Sequence, residues 1–383
     1  MSHHKLITLV LVLAVLIGIA VLQGRRGDRQ DAEGPQPGEE LFTGLDINAV
    51  REIELTASEK SLTLSRPGET WRCPALHDYP VDFSELARRL RELSEVSVVQ
   101  RVYDGLETPS TYGLGEDEQL LRLKDGGGNV LAELRMGDRQ DSGRRAGGGR
   151  YVRLDAKPVV MIDSALREWK PDPLEWVDSE LVRIPSYRIT RLEVDPAGDE
   201  SYTLVKEGGS LQLAELAEGM EMKDSALRSL RGAFSPVEFT AVADPGKTDA
   251  QLGLDRPDTV RVEGEDGFTY TLMLGADAPG GRYLKMAVAY EAPPEPEKPA
   301  PAAEGEKPGE AAQKRYEQQL ESRREKVREA KEKLEKQQQR FADWRYVVPA
   351  AEADKMLTPR AELVREKKAD EDGQAPAAPR GDG

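Results

Sequence analysis

Residues able to do chemistry occur in this chain, and the first question is whether any stand in a working arrangement. Cys73, His77 and Asp78 lie close enough in sequence to suggest a thiol–imidazole pair or a metal site. Pro74 and Pro80 break any helix that would bring Cys73 and His77 onto one face. His77 is the only histidine outside the first four residues, so a His-rich metal cluster is not available. A nucleophilic cysteine also needs an activating base at hydrogen-bond distance. The plain reading is a loop thiol and a surface imidazole.

Asp244-Pro245-Gly246-Lys247-Thr248 holds the Gly-Lys-Thr of a phosphate-binding loop, but that pattern needs a glycine where Ala241 stands. An ordinary turn is expected there. Gly126-Gly127-Gly128 and Gly147-Gly148-Gly149 lack the strand-to-helix setting of a dinucleotide fingerprint and read as hairpin loops. Trp71, Trp169, Trp176 and Trp344 could stack on a carbohydrate, although buried caps on a core are the commoner use. The 70 acidic residues guarantee many close carboxylate pairs, so none can be singled out as general acid and base. No catalytic, cofactor-binding or metal-ligating residue is selected, and the chain is not expected to be an enzyme.

The elements that position these residues are written twice. Tyr112-Gly113-Leu114 and Leu252-Gly253-Leu254 place matching glycines 140 residues apart. Each is followed by two strand-like runs, the second ending at a glycine, in Leu134-Arg135-Met136-Gly137 and Leu272-Met273-Leu274-Gly275. Gly149-Arg150-Tyr151-Val152-Arg153 and Gly281-Arg282-Tyr283-Leu284-Lys285 come next. Upstream, Leu90 and Leu230 sit on matching amphipathic segments. Such agreement in order predicts a duplication. The matched positions are apolar, glycine or turn residues without a shared acid, base or nucleophile, so the repeat speaks of architecture.

Within the first copy, Val50, Ile53 and Leu55 followed by Leu62 and Leu64 predict a β-hairpin, and a third short strand includes Trp71. Asp82 reads as the N-cap of a helix through Leu93, with Leu86, Leu90 and Leu93 on one face. Further strands are expected at Ser97–Val102, Leu120–Leu123, Val130–Leu134, Tyr151–Leu154 and Val159–Ile162, and a short helix at Ser164–Trp169. The second copy starts at Ile189–Val194, with a helix at Asp224–Phe234 and a hairpin turning at Glu265-Asp266-Gly267. Strands clustered around one main helix per copy predict an α+β fold with mainly antiparallel sheets.

The copies differ where the first turns at Asp155–Pro158 and the second inserts residues 292–340. Pro293, Pro294, Pro296, Pro299, Pro301 and Pro308 predict a stiff extended stretch, and a charged helix follows from about Gln313 to Arg340. Leu320, Val327, Leu334 and Phe341 repeat every seven residues, as do Tyr316, Arg323, Ala330 and Gln337. Only the first row is consistently apolar, which predicts at most a weak coiled coil. The insertion reads as a hairpin loop grown into an arm.

Ahead of the repeats, Leu6 to Leu22 is a run of 17 residues without a charge. At helical rise it spans roughly 25 Å, enough for a thin bilayer core. It exceeds a usual signal-peptide core and closes on Val21-Leu22-Gln23-Gly24, a poor cleavage site, so an uncleaved transmembrane anchor is expected. Lys5 before the run and Arg25, Arg26 and Arg29 after it lean towards a cytoplasmic body, although that rule is weak for long translocated domains. The organisation read from sequence is therefore an anchor with its cytoplasmic end at 1–23, a flexible stalk at 24–40 and a first repeat at 41–170. A linker at 171–188, a second repeat at 189–363 interrupted by 292–340, and a disordered tail at 364–383 complete it. The net charge of −16 argues against a nucleic-acid partner, because no basic stripe offsets it. Cys73 is the only cysteine, so no intramolecular disulfide can form.

The chain resembles a bacterial family, the domain of unknown function 4340. The residues that carry the likeness are the N-terminal span, Leu41-Phe42-Thr43-Gly44-Leu45-Asp46, Val50-Arg51-Glu52-Ile53-Glu54-Leu55, Tyr79-Pro80-Val81-Asp82, Tyr112-Gly113-Leu114 and Tyr151-Val152-Arg153. The resemblance covers most of residues 41–290 and brings no catalytic residues with it. It implies a single-span protein of the bacterial inner membrane whose body lies outside the cytoplasm, and this outweighs the arginine count. It also implies protein partners in an envelope or ABC-type transport complex. A non-enzymatic interaction scaffold is the leading expectation, and an extracytoplasmic module binding glycan or peptide is the alternative.

Overall fold

The computed structural model describes residues 34–105, 110–115, 118–140, 149–299 and 309–367. The fold is mixed α+β, built on mostly antiparallel sheets with few helices, and the chain divides into two compact units after Asp178. Leu6 to Leu22 lies outside the described residues. Among the described residues no helix is long and apolar enough to cross a membrane.

The first unit contains β1 (Glu52–Ala57), β2 (Lys60–Ser65), β3 (Arg72–Cys73), β4 (Tyr79–Pro80) and β5 (Val98–Tyr103). It continues with β6 (Gln119–Lys124), β7 (Val130–Gln140), β8 (Gly149–Leu154) and β9 (Val159–Ile162). They form one sheet in the order β4-β3-β2-β1-β6-β7-β8-β9-β5. Alternation sets the register: Ile53 pairs with Leu64 and Leu55 with Leu62, so all four side chains fall on one buried face. Helix α1 (Phe83–Ser94) begins at Asp82, whose carboxylate accepts from the amides of Ser84 and Glu85 at 3.0 and 3.2 Å. Leu86, Leu90 and Leu93 on its inner face are buried, each worth about 2 kcal/mol of apolar transfer.

The second unit repeats this order with its own strands. β11 (Ile189–Asp195), β12 (Tyr202–Glu207) and β13 (Ser210–Leu213) take the places of β1, β2 and β3. β17 (Asp258–Gly264), β18 (Phe268–Ala278), β19 (Gly281–Tyr290) and β20 (Tyr346–Pro349) take those of β6 to β9, and β16 (Ala241–Val242) that of β5. The sheet reads β13-β12-β11-β17-β18-β19-β20-β16, and α2 (Asp224–Gly232) stands where α1 does. Two small sheets pair β10 (Glu180–Val182) with β15 (Val237–Glu238) and β14 (Met220–Met222) with β21 (Val364–Glu366). Between β19 and β20, where β8 and β9 need only a turn, lie residues 291–299, without helix or strand, and α3 (Glu310–Asp343). The C-terminal part of α3 packs on its own sheet: Phe341 is buried, Gln337 meets the Tyr270 hydroxyl at 3.2 Å, and Lys333 lies 4.4 Å over the Phe268 ring.

Four expectations need correction. Ser164–Trp169 is not a helix: Leu166 takes a left-handed backbone (φ 44°) and the Glu168 carbonyl is used by Arg89. In the second unit a helix, α4 (Ala350–Met356), does follow β20. Residues 34–40 do not belong to a free stalk, because Gly38 donates to Val98 and Val98 to Glu39, which binds them to the edge strand β5. The segment 171–188 is more than a linker, since Pro173–Trp176 forms a 3-10 turn of the first unit and β10 a strand of the second. Val364–Glu366, read as tail, is β21; Lys223 donates to Leu363 and Lys367 to Gly219, which satisfies backbone on both sides. Residues 368–383 lie outside the described residues.

Candidate functional site

Each unit carries the same three-part device beside a β-bulge. β7 shifts register between Met136 and Arg139, and β18 shifts between Leu274 and Asp277. Gly137 and Gly275 sit at these bulges. A Cβ on Gly137 would stand 2.1 Å from the Tyr112 carbonyl oxygen, and one on Gly275 2.2 Å from that of Leu252. The loops that press in turn on Gly113 (φ 67°) and Gly253 (φ 68°), a backbone that favours glycine. The neighbouring strand completes the lock: Arg150 Nε donates to the Gly137 carbonyl at 2.9 Å, and Arg282 Nε to the Gly275 carbonyl at 3.0 Å. The shared glycines were legible in sequence. The shared arginine was missed as the donor to the bulge, although Gly-Arg-Tyr stood at both places.

The arginines differ in their counter-groups. Arg282 Nη2 meets Asp258 Oδ2 at 2.8 Å, while the other oxygen of Asp258 accepts from the Ala197 amide at 2.7 Å. At the same register position the first unit has Gln119, whose Oε1 lies 3.2 Å from Arg150 Nη1. Arg150 is 5% exposed, and burial, with repulsion from Arg139, pushes its guanidinium down to about 10. It stays charged at neutral pH.

On the opposite face of the first sheet runs a ladder of ion pairs. Lys124 bridges Glu52 and Glu54, Arg122 bridges Glu54 and Glu133, and Arg135 bridges Glu133 and Glu118. The ladder ends at Tyr103, Tyr112 and Tyr151, with ring centroids 6.5 and 5.0 Å apart, beside Arg153, which donates to Gly105 at 2.7 Å. The second unit places Asp249 between Arg345 (2.8 Å) and Lys285 (2.6 Å), and these two cations hold its carboxyl down to about 2. Carboxylates bound this tightly to cations are poor proton acceptors at neutral pH.

The arm supplies a different kind of surface. Pro293, Pro294 and Pro296 run along one flank of α3, where Arg323 donates to the Pro293 carbonyl at 2.9 Å and faces Glu295 at 3.6 Å. A groove of about 720 Å³ lies between this strut and the helix. A second depression of about 400 Å³ surrounds Val327, rimmed by Arg323, Arg324, Arg328 and Lys331 together with Glu332 and Glu335.

The residues first considered for chemistry are not brought together. Cys73 is buried, with its thiol raised to about 11 chiefly by desolvation, whereas His77 and Asp78 are exposed with left-handed backbones. Asp244–Thr248 is a turn in which Gly246 donates to the Asp244 carboxylate at 2.8 Å. Gly126–Gly128 is the β6–β7 hairpin turn, tied by Asp125 to the amides of Gly127 and Asn129 at 2.8 and 2.9 Å. Gly147 and Gly148 lie outside the described residues, and Gly149 opens β8. Trp71, Trp169 and Trp176 are buried. Trp176 stacks under Arg89 at 4.3 Å and donates to the Lys170 carbonyl at 2.9 Å, so this pair seals a core. Among the described residues no group of three or more His, Cys, Asp or Glu is placed to hold a metal.

Residues 71–257 match the model of a family described as a domain of unknown function (DUF4340), which supports the resemblance drawn from Tyr79–Asp82, Tyr112–Leu114 and Tyr151–Arg153. Neither the curated proteins nor the solved structures yield a match.

Proposed function

We propose that this protein is a non-enzymatic interaction scaffold, held to the bacterial inner membrane by Leu6–Leu22 with its body outside the cytoplasm, and that it serves as an auxiliary component of an ABC-type transport system. The observation that carries the scaffold reading is the arm. A 34-residue helix is inserted where the first unit has a short turn, and only its C-terminal part is committed to the sheet beneath it. The ion-pair ladder on the first sheet and the Asp249 cluster of the second unit engage their charged groups with one another, which fits a structural role. Crosslinking and affinity purification of the full-length protein from native membranes, beside a form lacking 292–340, tests this. Transport subunits that copurify and are lost with the arm support the reading; a clean preparation in both cases sinks it. A phosphatase fused after Gly383 tests the topology, since it is active only outside the cytoplasm.

The alternative is an extracytoplasmic module for glycan or peptide. The Tyr103–Tyr112–Tyr151 cluster beside Arg153 favours it, because half-buried aromatic faces next to a cation suit sugar rings and peptide side chains. Titration calorimetry against cell-wall fragments separates the two: heat lost on Tyr151→Ala supports the module, and absence of heat counts against it.

A further inference from the structure

The geometry points to the Val327 flank of α3 as the docking seam for an acidic amphipathic helix of a partner protein; this rests on the scaffold reading and names the chemistry of its partner. Leu320, Val327, Leu334 and Phe341 recur every seven residues, the first three half-buried and only the last buried. Phe341 is buried in the second unit, whereas Leu320 and Val327 are half-buried. If this row is position a of a heptad, the preceding g positions are Gln319, Lys326, Lys333 and Arg340, and the e positions are Glu317, Arg324, Lys331 and Gln338. Between Arg324 and Arg340 all of these flanking residues but Gln338 are basic, in a chain whose net charge is −16.

The protein itself covers the g flank. Lys326 borders the strut groove, Lys333 lies over Phe268, and Arg340 donates to the Glu180 carbonyl at 2.9 Å. The strut brings Glu295 to Arg323, so acid on base already operates along this helix. The e flank has no such cover ahead of Gln338, which donates to the Val288 carbonyl at 3.2 Å. Arg324 and Lys331 are exposed and have no ion-pair partner among the described residues, and Arg328 reaches only Glu325, one turn back, at 3.8 Å.

Charge decides what fits. A second copy of the chain would set like charges opposite one another, e against g in a parallel pair and e against e in an antiparallel pair. A bilayer wants a broad apolar face, and this seam is narrow, with Arg323 and Gln337 interrupting its second row. A helix with apolar a and d positions and Glu or Asp on its flanks satisfies both the row and the rim.

The test uses the full-length protein in detergent and a labelled four-heptad synthetic peptide with Leu at a and d and Glu at e and g. Fluorescence anisotropy should show binding that weakens with salt and falls at least tenfold in the Arg324→Glu/Arg328→Glu/Lys331→Glu variant. The same peptide carrying Lys in place of Glu should prefer that variant. These residues are exposed, so an unchanged circular dichroism spectrum is expected; Val327→Asn gives a second, uncharged test of the same seam. Equal affinity of the acidic peptide for wild type and triple variant, or no binding to either, overturns the proposal. Charge-dependent binding to phosphatidylglycerol vesicles without peptide binding overturns it in favour of a lipid surface. Transport subunits lost on deleting 292–340 but retained by the triple variant leave the scaffold standing and remove this seam.

Discussion

The two units build the same lock from different charge. In both, a bulge glycine gives its carbonyl to an arginine on the next strand and its Cβ space to a carbonyl from a glycine-bearing loop. In the second unit Arg282 faces Asp258; in the first Arg150 faces Gln119, a neutral amide of similar reach. A directly bonded carboxylate is therefore not shared by the two units, while the bond to the bulge carbonyl is present in both. A β-bulge leaves a ladder group without its usual partner, and a buried carbonyl so exposed costs stability unless a donor reaches it. The arginine is that donor. Its charge is a secondary problem, met by the Asp258 ion pair in one unit and in the other by the attraction of Asp138.

The most damaging way to break the lock is to fill the glycine. Gly137→Ala and Gly275→Ala drive a methyl into backbone oxygen, which flexible side-chain motion cannot relieve, and each should cost on the order of 3 kcal/mol. A control is at hand in Gly232, which ends α2 facing open space, so Gly232→Ala should be neutral or slightly stabilising. Thermal unfolding of the three variants checks the order. Equal behaviour of all three would mean that the bulge relaxes freely.

Removing the arginines sharpens the comparison further. Arg282→Met strands the Asp258 carboxylate with only the Ala197 amide, and should cost about 3 kcal/mol. Arg150→Met leaves only neutral acceptors behind, and should cost about 1–2 kcal/mol. If Arg150→Met proves as damaging as Arg282→Met, the neutral pocket does not have the character assigned to it. Gln119→Glu converts the first unit to the second unit's chemistry without a change of shape. It should stabilise by about 1 kcal/mol at neutral pH and by nothing once the new carboxylate is protonated.

These effects also mark what a sequence can disclose. Hairpins and the capped helix were legible because Ile53, Leu55, Leu62 and Leu64 alternate and Asp82 precedes an apolar stripe. Gly113 and Gly253 were legible because positive φ leaves glycine little competition. Arg150 was not, because its burial depends on a carbonyl 13 residues away, and arginine is ordinarily a surface residue. Ser164–Trp169 misled for a similar reason: its backbone serves Arg89 on α1, a contact that no local propensity encodes. The register of the two units was readable only as order. That the arm grows from the β19–β20 turn followed from counting elements, whereas the cover on one flank of α3 depends on where the prolines fold back.

The smallest effect concerns Asp249, which belongs to the second unit's loop rather than to its lock. Arg345 first and Lys285 second hold its carboxyl at about 2, below the ordinary value of 3.8. A depressed carboxylate contributes stability that is fully present above its unfolded value and is lost as pH falls through the folded one. Asp249 should therefore help between pH 4 and neutrality and cease to help as pH drops from about 4 to about 2. Its side chain is 37% exposed, so solvent screens the pair and the effect stays small. Asp249→Asn should lower the unfolding temperature slightly at pH 6 and leave it unchanged near pH 2, where the wild-type carboxyl is itself being neutralised. The same deficit at both values would make the side chain's hydrogen bonds to Arg345 and Lys285, rather than its charge, what holds the loop to β19.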